Sequence, residues 1–505
     1  MIAAVFALIP VAVAARLQVS LADAPSVKLH FATKRSSVHG LSKFDVFAKP
    51  VVSSNGAKVM YDGYITFKDA DETFTYFFVN GAGYMSTGDG DVRCLPSDTL
   101  PFDLILPALN DAVPIPSATI GDKSIECESG NLFKTVFAST SFAICASSES
   151  GFTAYSSDIT IDVAYLDTPI SIPSVEGAKC DAVAVPTSVT PTALALLTGS
   201  AIPLSISRHL ETSTHVEMDA SSCKCKDTPR PCIFFHGASN PNEMDELQDT
   251  PKNSSGRIGN MNKHAPCCSI VKYAILNTKD YQWTDDKHQE KVCDRALRFS
   301  GVKTNSITNT VIVTYSAAGL AMAMAIATGK CSFGTNATWV AVGTPMTGTM
   351  LSDTYQKACN KTSSLKSKML YKLGECPSTR GRMSVAYQYG NYATKELYTA
   401  YVMAQKAYKE NVDAALCGTN DNGLLSPYRP IMLLTGKLSH HKSSEQDGVV
   451  EFQSCAKGLD ISKFHTSYKS PFYKAKINHA DVGFLTHDGF FDDSQKPAKW
   501  FECLL

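Results

Sequence analysis

The sequence predicts an α/β protein in two parts. A mostly parallel sheet covered by helices occupies residues 231–505, and a β-rich, mainly antiparallel region occupies 26–175. Three observations predict this. First, short and wholly apolar runs such as CIFFHG, NTVIVTYS and ATWVAVGTP alternate with helical segments. Strands buried on both faces of a parallel sheet read this way. Second, runs before Ile172, such as MYDGYITF, TFTYFFVNGAGYM, FKTVFASTSFAICA and ITIDVAYLD, alternate apolar and polar residues and are punctuated by Gly, Asp, Asn and Ser. That is the pattern of antiparallel strands joined by turns. Third, residues 181–230 are rich in Pro, Thr, Ser and small residues, so 176–230 reads as a linker.

The elements follow in order. The opening MIAAVFALIPVAVAARLQ has an apolar stretch too short to span a bilayer and an Ala12-Val13-Ala14 cleavage pattern, so residues 1–14 are expected to be a signal peptide. A buried N-terminal strand is the alternative. In the β-rich region no chemical constellation stands out, and Asp158 and Tyr155 read as surface. Beyond Pro231, HAPCCSIVKYAILNT suggests a second strand. KHQEKVCDRALRFSG suggests a helix stopping at Gly301, and AAGLAMAMAIATG one stopping at Gly329. A mostly helical insert over 353–423, clearest in YATKELYTAYVMAQKAYKENVDAALCG, is expected as a cap, and RPIMLLTG follows as a further apolar segment. In that insert Tyr387, Tyr389, Tyr392, Tyr398, Tyr401 and Met403 either line an acyl pocket or pack between helices.

Composition narrows the function. With 44% apolar and 19% charged residues the chain is globular. Its 47 basic and 48 acidic residues form no long basic run, which excludes nucleic acid as an expected partner. The sixteen cysteines are even in number and expected to be paired in an oxidising compartment. Cys223-Lys-Cys225 and Cys267-Cys268 lack the spacing of a zinc site, so disulfides are expected and no metal or cofactor. Sequons at Asn253, Asn336 and Asn360 fit a secretory route.

Chemistry concentrates after Pro231. Ser316 lies between an apolar strand and a small-residue helix, as a nucleophile elbow requires. The usual G-x-S-x-G is here Thr314-Tyr315-Ser316-Ala317-Ala318, so both glycines are replaced, and Thr314 is the bulkier change. Upstream, CIFFHG ends in His236-Gly237, where a glycine permits close approach of the backbone. The N–H groups of Ala238 and Ala317 are candidate oxyanion donors, with His236 a satisfied core histidine. One strand later comes Gly343-Thr344-Pro345.

At these residues the chain resembles the lipase and esterase branch of the α/β-hydrolase family. TYSAAGL is similar to its G-H-S-M-G-G-L, FFHG to its oxyanion strand and GTPMTG to its G-T-P-H-x-G turn. The resemblance implies an acid and a histidine downstream. Asp447, in DGVV, is similar to the family's acid, and His479, in NHAD, to its histidine. It thus implies Ser316 as nucleophile, His479 as base and Asp447 as the group orienting it. His440, His441, His465 and His487 are rival histidines, and Asp421 and Glu451 rival acids. The resemblance covers 231 to about 490. The wider texture, including the terminal KWFECLL, is similar to secreted oomycete proteins that join a β-rich N-terminal region to a hydrolase-like domain.

A secreted carboxylic ester hydrolase is therefore expected, acting on an ester or lipid, with peripheral contact to a lipid or cell-wall surface. The alternatives are a catalytically inactive binding or adhesion protein of the same fold, and an acyltransferase or phospholipase using the same residues.

Overall fold

The computed structural model describes residues 19–505 except 70–71, 89, 96–101, 148–149, 174, 176–177, 204–214, 302, 361–367, 369–370 and 372–375. The expected signal peptide lies outside the described residues.

The alternating segments form an eleven-stranded antiparallel sheet. Its strands are β1 (Ser26–Thr33), β2 (Lys43–Val52), β3 (Val59–Asp69), β4 (Glu72–Val79), β5 (Ala82–Thr87) and β6 (Val92–Cys94). After these come β7 (Val113–Pro114), β8 (Leu132–Phe137), β9 (Thr140–Ala146), β10 (Gly151–Tyr155) and β11 (Ile159–Leu166). The order is β6-β5-β4-β3-β2-β1-β11-β10-β9-β8-β7. Two meanders thus join where β1 pairs with β11, Leu29 opposite Val163. Helices α1 (Ile105–Asn110) and α2 (Pro191–Thr198) supply Leu106, Leu109 and Leu196 to a core shared with Val27, Phe133 and Ile144. The Thr190 side chain accepts from Ala193 N–H at the start of α2, Pro191 opens it, and Gly199 at φ 70° ends it.

This corrects the linker expectation for 176–230. The small apolar residues of ALALL are what an amphipathic helix needs to seat in a sheet. Ala193 and Leu196 are buried, and Cys180 is bonded to Cys94 beside β5.

The second sheet has six strands, β12 (Arg230–Phe235), β13 (Cys268–Ala274), β14 (Val311–Tyr315), β15 (Thr338–Val342), β16 (Ala414–Gly418) and β17 (Phe472–Ala475). Their order is β13-β12-β14-β15-β16-β17, and every pair is parallel. The helices of this part include α3 (Asp286–Ser300), α4 (Ala317–Ala327), α5 (Lys395–Asn411), α6 (Arg429–Ser439), α7 (His479–Val482) and α8 (Pro497–Leu504). Residues of α3, α4 and α5 pack with Ile233, Ile312 and Trp339 on one face of the sheet. Trp500 and Phe501 of α8 pack with Phe234, Val313 and Val340 on the other. Alternate residues of each apolar strand therefore reach opposite cores. Small side chains in α4 let it lie buried between the sheet and its neighbouring helices. No described helix is long and apolar enough to cross a membrane.

Two expectations are corrected here. The insert over 353–423 is not a cap throughout. Tyr401 and Tyr408 of α5 are fully buried against the sheet core, and 414–418, read as the end of that helix, is the internal strand β16. RPIMLLTG, expected as one more apolar segment after the apolar strands, is helix α6, with Pro430 in its first turn. Of the expected acyl-pocket residues, Tyr401 packs on Trp283 with ring centroids 5.0 Å apart, while Tyr389, Tyr398 and Met403 are exposed.

All sixteen cysteines pair in eight disulfides, including Cys225–Cys267, Cys232–Cys268 and Cys223–Cys503. Asp158, expected at the surface, is instead buried where the two parts meet. It receives Lys499 Nζ at 2.6 Å and is paired with Arg35. Arg35 also donates twice to Glu502, both at 2.9 Å. Burial alone would raise the Asp158 pKa, but Lys499 and Arg35 outweigh it and hold the carboxyl below the usual range.

Candidate active site

Three loops converge at the carboxyl edge of the parallel sheet. Ser316 follows the last residue of β14 and stands at the N-cap position of α4 with φ 56° and ψ −128°. A non-glycine residue at positive φ is strained, and surrounding structure must hold it there. Here Ser316 N–H donates to Val342 O at 2.9 Å, and Gly319 N–H to Ser316 O at 3.0 Å. Thr314, the bulky replacement, is fully buried, and its hydroxyl accepts from the Trp339 indole at 2.9 Å. Its extra atoms fill a partnered position beside β15. The close approach that glycine usually allows falls at Gly319 rather than Ala318. A Cβ at Gly319 would lie 2.2 Å from Thr344 Oγ1.

His479 opens α7. Its Nδ1 lies 2.8 Å from Asp447 Oδ2 and its Nε2 3.0 Å from Ser316 Oγ. A carboxylate only accepts, so Nδ1 carries the proton in the neutral ring and Nε2 is left to accept from the Ser316 hydroxyl. His479 N–H also donates to Asp447 O at 2.8 Å. Asp447 Oδ1 accepts from Val449 and Val450 N–H at 3.0 and 2.7 Å, which fixes the carboxylate. Exposure rises from 1% at Asp447 through 6% at His479 to 9% at Ser316, so the acid is sealed and the hydroxyl is nearest solvent.

Two glycines let these loops meet. A Cβ on Gly418, the last residue of β16, would lie 2.7 Å from Asp447 Cβ, and one on Gly343 would lie 3.2 Å from His479 Cε1.

The fourth loop follows β12. A Cβ on Gly237 would lie 3.1 Å from Ser316 Cβ. His236 Nδ1 lies 2.9 Å from Gly237 O, and its Nε2 accepts from Leu276 N–H at 3.1 Å. Burial pushes its pKa down to about 4, so it is a neutral, partnered ring. Thr278 Oγ1 donates to Gly237 O at 2.8 Å, and the buried Asn240 donates to Asn242 O and Leu276 O. Among the described residues neither the Ala238 nor the Ala317 N–H has an acceptor. Ala317 begins α4, where the first N–H groups lack helical partners.

Among the described residues none of the rivals hydrogen-bonds Ser316 or His479. His487 packs on His264 at 4.4 Å, His441 sits 3.8 Å from Glu451, His465 Nα–H bonds Phe472 O, and His440 ends α6. Asp421 accepts from Gln446, the neighbour of Asp447, and Glu451 accepts from Ser443 N–H.

Sequence reasoning missed the supporting residues. Tyr315 donates to His479 O at 2.8 Å, and its ring lies 5.0 Å from the imidazole. Burial raises its pKa, keeping the phenol a donor. Asp481 Oδ2 accepts from Asn478 N–H at 3.0 Å and Leu424 N–H at 2.8 Å, and Oδ1 from Thr486 at 2.5 Å. Asn478 Oδ1 in turn accepts from Asp481 N–H, completing a capping box. Its N-x-x-D spacing was a readable signal. Burial raises the Asp481 pKa to about 6 despite these donors.

No family model matches the chain, and no curated protein matches it in sequence. Among solved structures it is similar to a Staphylococcus hyicus lipase, at 11% identity and TM-score 0.28, covering 55% of this chain and 95% of that one. It is also similar to a prolyl endopeptidase, at 10% identity and TM-score 0.20, covering 79% of this chain and 62% of that one. Both scores are too low to establish a shared fold.

Proposed function

We propose that residues 231–505 form an α/β-hydrolase domain that cleaves carboxylic esters through an acyl-enzyme. The observation that carries this is the unbroken chain from Asp447 through His479 to Ser316, with Ser316 held at positive φ at the head of α4. The site also lies where an open α/β sheet binds ligands. In the order β13-β12-β14, the crevice between the carboxyl ends of β12 and β14 is a topological switch point, and Gly237 and Ser316 flank it.

In this reading Ser316 Oγ attacks the ester carbonyl while His479 Nε2 takes its proton. Negative charge develops on the carbonyl oxygen and is met by the N–H groups of Ala238 and Ala317. One such donor is worth about 3–4 kcal/mol of barrier. The imidazolium, stabilised by Asp447, returns the proton to the leaving alkoxide. Water then repeats the sequence on the acyl-enzyme and frees Ser316. Eight disulfides fit work outside the cell, and exposed Asn253, Asn336 and Asn360 fit glycan attachment there.

A panel of p-nitrophenyl esters of increasing chain length tests the reaction class. Wild type should turn over at least one ester, and Ser316→Ala none above background. Turnover of no ester by a folded, disulfide-bonded chain would leave the fold as a binding protein.

A further inference from the structure

We infer that the β-rich part holds a second site, which binds a neutral lipid: a long aliphatic chain ending in one uncharged hydrogen-bonding group. A partly open cavity of about 280 Å³ lies against the antiparallel sheet, α1 and α2, and is bordered by Leu425, Phe490 and Phe491 of the second part. Protein interiors leave few voids larger than a water molecule, and small-molecule pockets begin at about this size. Phe31, Val46, Ile65, Phe152 and Val163 present apolar surface from both meanders. Ser316, Asp447 and His479 do not line it.

The polar groups in the wall define the ligand's end. Tyr165 donates to Leu196 O, Thr135 to Ala108 O, and Tyr76 is bonded to His39. The Tyr61 hydroxyl is shielded from solvent and has no partner among the described residues. An unpaired buried hydroxyl is costly and calls for a partner. Among the described residues no Lys or Arg lines the cavity, and the one carboxyl in that wall, Asp103, is exposed. A carboxylate ligand would therefore enter a mostly apolar space with no cation among the described wall residues, which is strongly unfavourable. An alcohol or ester group loses far less and satisfies Tyr61. The wall thus selects an uncharged lipid over a free fatty acid.

Native mass spectrometry of the full chain incubated with dodecanol or dodecanoate at neutral pH tests this. Dodecanol should give one adduct per chain, retained in Ser316→Ala. Dodecanoate should bind roughly tenfold more weakly or worse. Ala154→Phe and Val46→Trp, on separate strands, should each fill the space and abolish the adduct. Tyr61→Phe keeps the volume and should weaken binding roughly fivefold. Near-ultraviolet circular dichroism establishes that each variant is folded, and Tyr61→Phe decides if both fillers fail that check. No dodecanol adduct, an adduct surviving in folded filler variants, a Tyr61→Phe affinity equal to wild type, or a preference for dodecanoate would overturn the proposal. Loss of the adduct in Ser316→Ala would place the binding at Ser316 instead.

Discussion

At the residue scale, the difference between Ser316 and an ordinary buried serine is its company. The hydroxyl faces a histidine whose other nitrogen is held by a fixed carboxylate. His479→Ala should lower kcat by roughly 10⁴-fold or more, since members of such a unit act together. His487→Ala, on the far contact with His264, should leave kcat within about threefold. Steady-state kinetics on a short ester compares them, and the reverse ranking would reassign the histidine. Thr314 carries a second prediction. Restoring the family's glycine, Thr314→Gly, strips the buried Trp339 indole of its acceptor. It should cost about 1–3 kcal/mol in urea unfolding rather than improve turnover. Ser316 and Gly237 were legible because each stands just past the end of an apolar strand, and Asp447 and His479 because each sits in a short motif. Tyr315 and Asp158 were not, because their partners lie far away in sequence. Arg35 and Asp158 are 123 residues apart, and Arg35 and Glu502 are 467 apart.

At the element scale, the short helix α7 sets where His479 stands. Its capping box rests on Asp481, whose raised pKa has a definite consequence. A carboxyl at about 6 in the folded chain and about 3.9 unfolded makes the native state bind more protons between those values. Stability from this group is therefore gained as pH falls from about 6 to 4, and is lost above 6. Asp481→Asn keeps the acceptor but removes the titration. Relative to wild type, its melting temperature should rise between pH 4.5 and 7.5, by the equivalent of up to about 2 kcal/mol. A constant difference across that range would show that Asp481 does not titrate there. The strands β12, β14 and β15 were legible as continuous apolar runs. β16 was hidden because Ala-Ala-Leu-Cys-Gly follows a long helical pattern without a break, and its residues suit a helix as well as a strand. α6 reads as a strand by apolarity, and only packing distinguishes the two.

At the scale of the whole molecule, the two parts are joined through buried charge and a disulfide. Arg35 and Asp158 come from the antiparallel part, and Lys499 and Glu502 from α8. Cys503 of the same helix is tied to Cys223, 280 residues away. Asp158→Ala would leave Lys499 without its buried partner and should cost about 3 kcal/mol or more. The sign of its pH dependence is opposite to that of Asp481. A lowered native pKa gives stability that is present above about 4 and lost as pH falls through the native value. Urea midpoints of wild type and Asp158→Ala should therefore converge in acid. That the parts touch at all was invisible in sequence, where the stretch rich in Pro, Thr, Ser and small residues read only as a linker.

The central claim is that Ser316 is an activated nucleophile. Labelling the intact chain with a fluorophosphonate, then mapping the adduct by mass spectrometry, tests it most directly. The account predicts one adduct per chain, on Ser316, absent from Ser316→Ala and strongly reduced in His479→Ala. No adduct on the folded wild type, or equal labelling of Ser316→Ala, would contradict it.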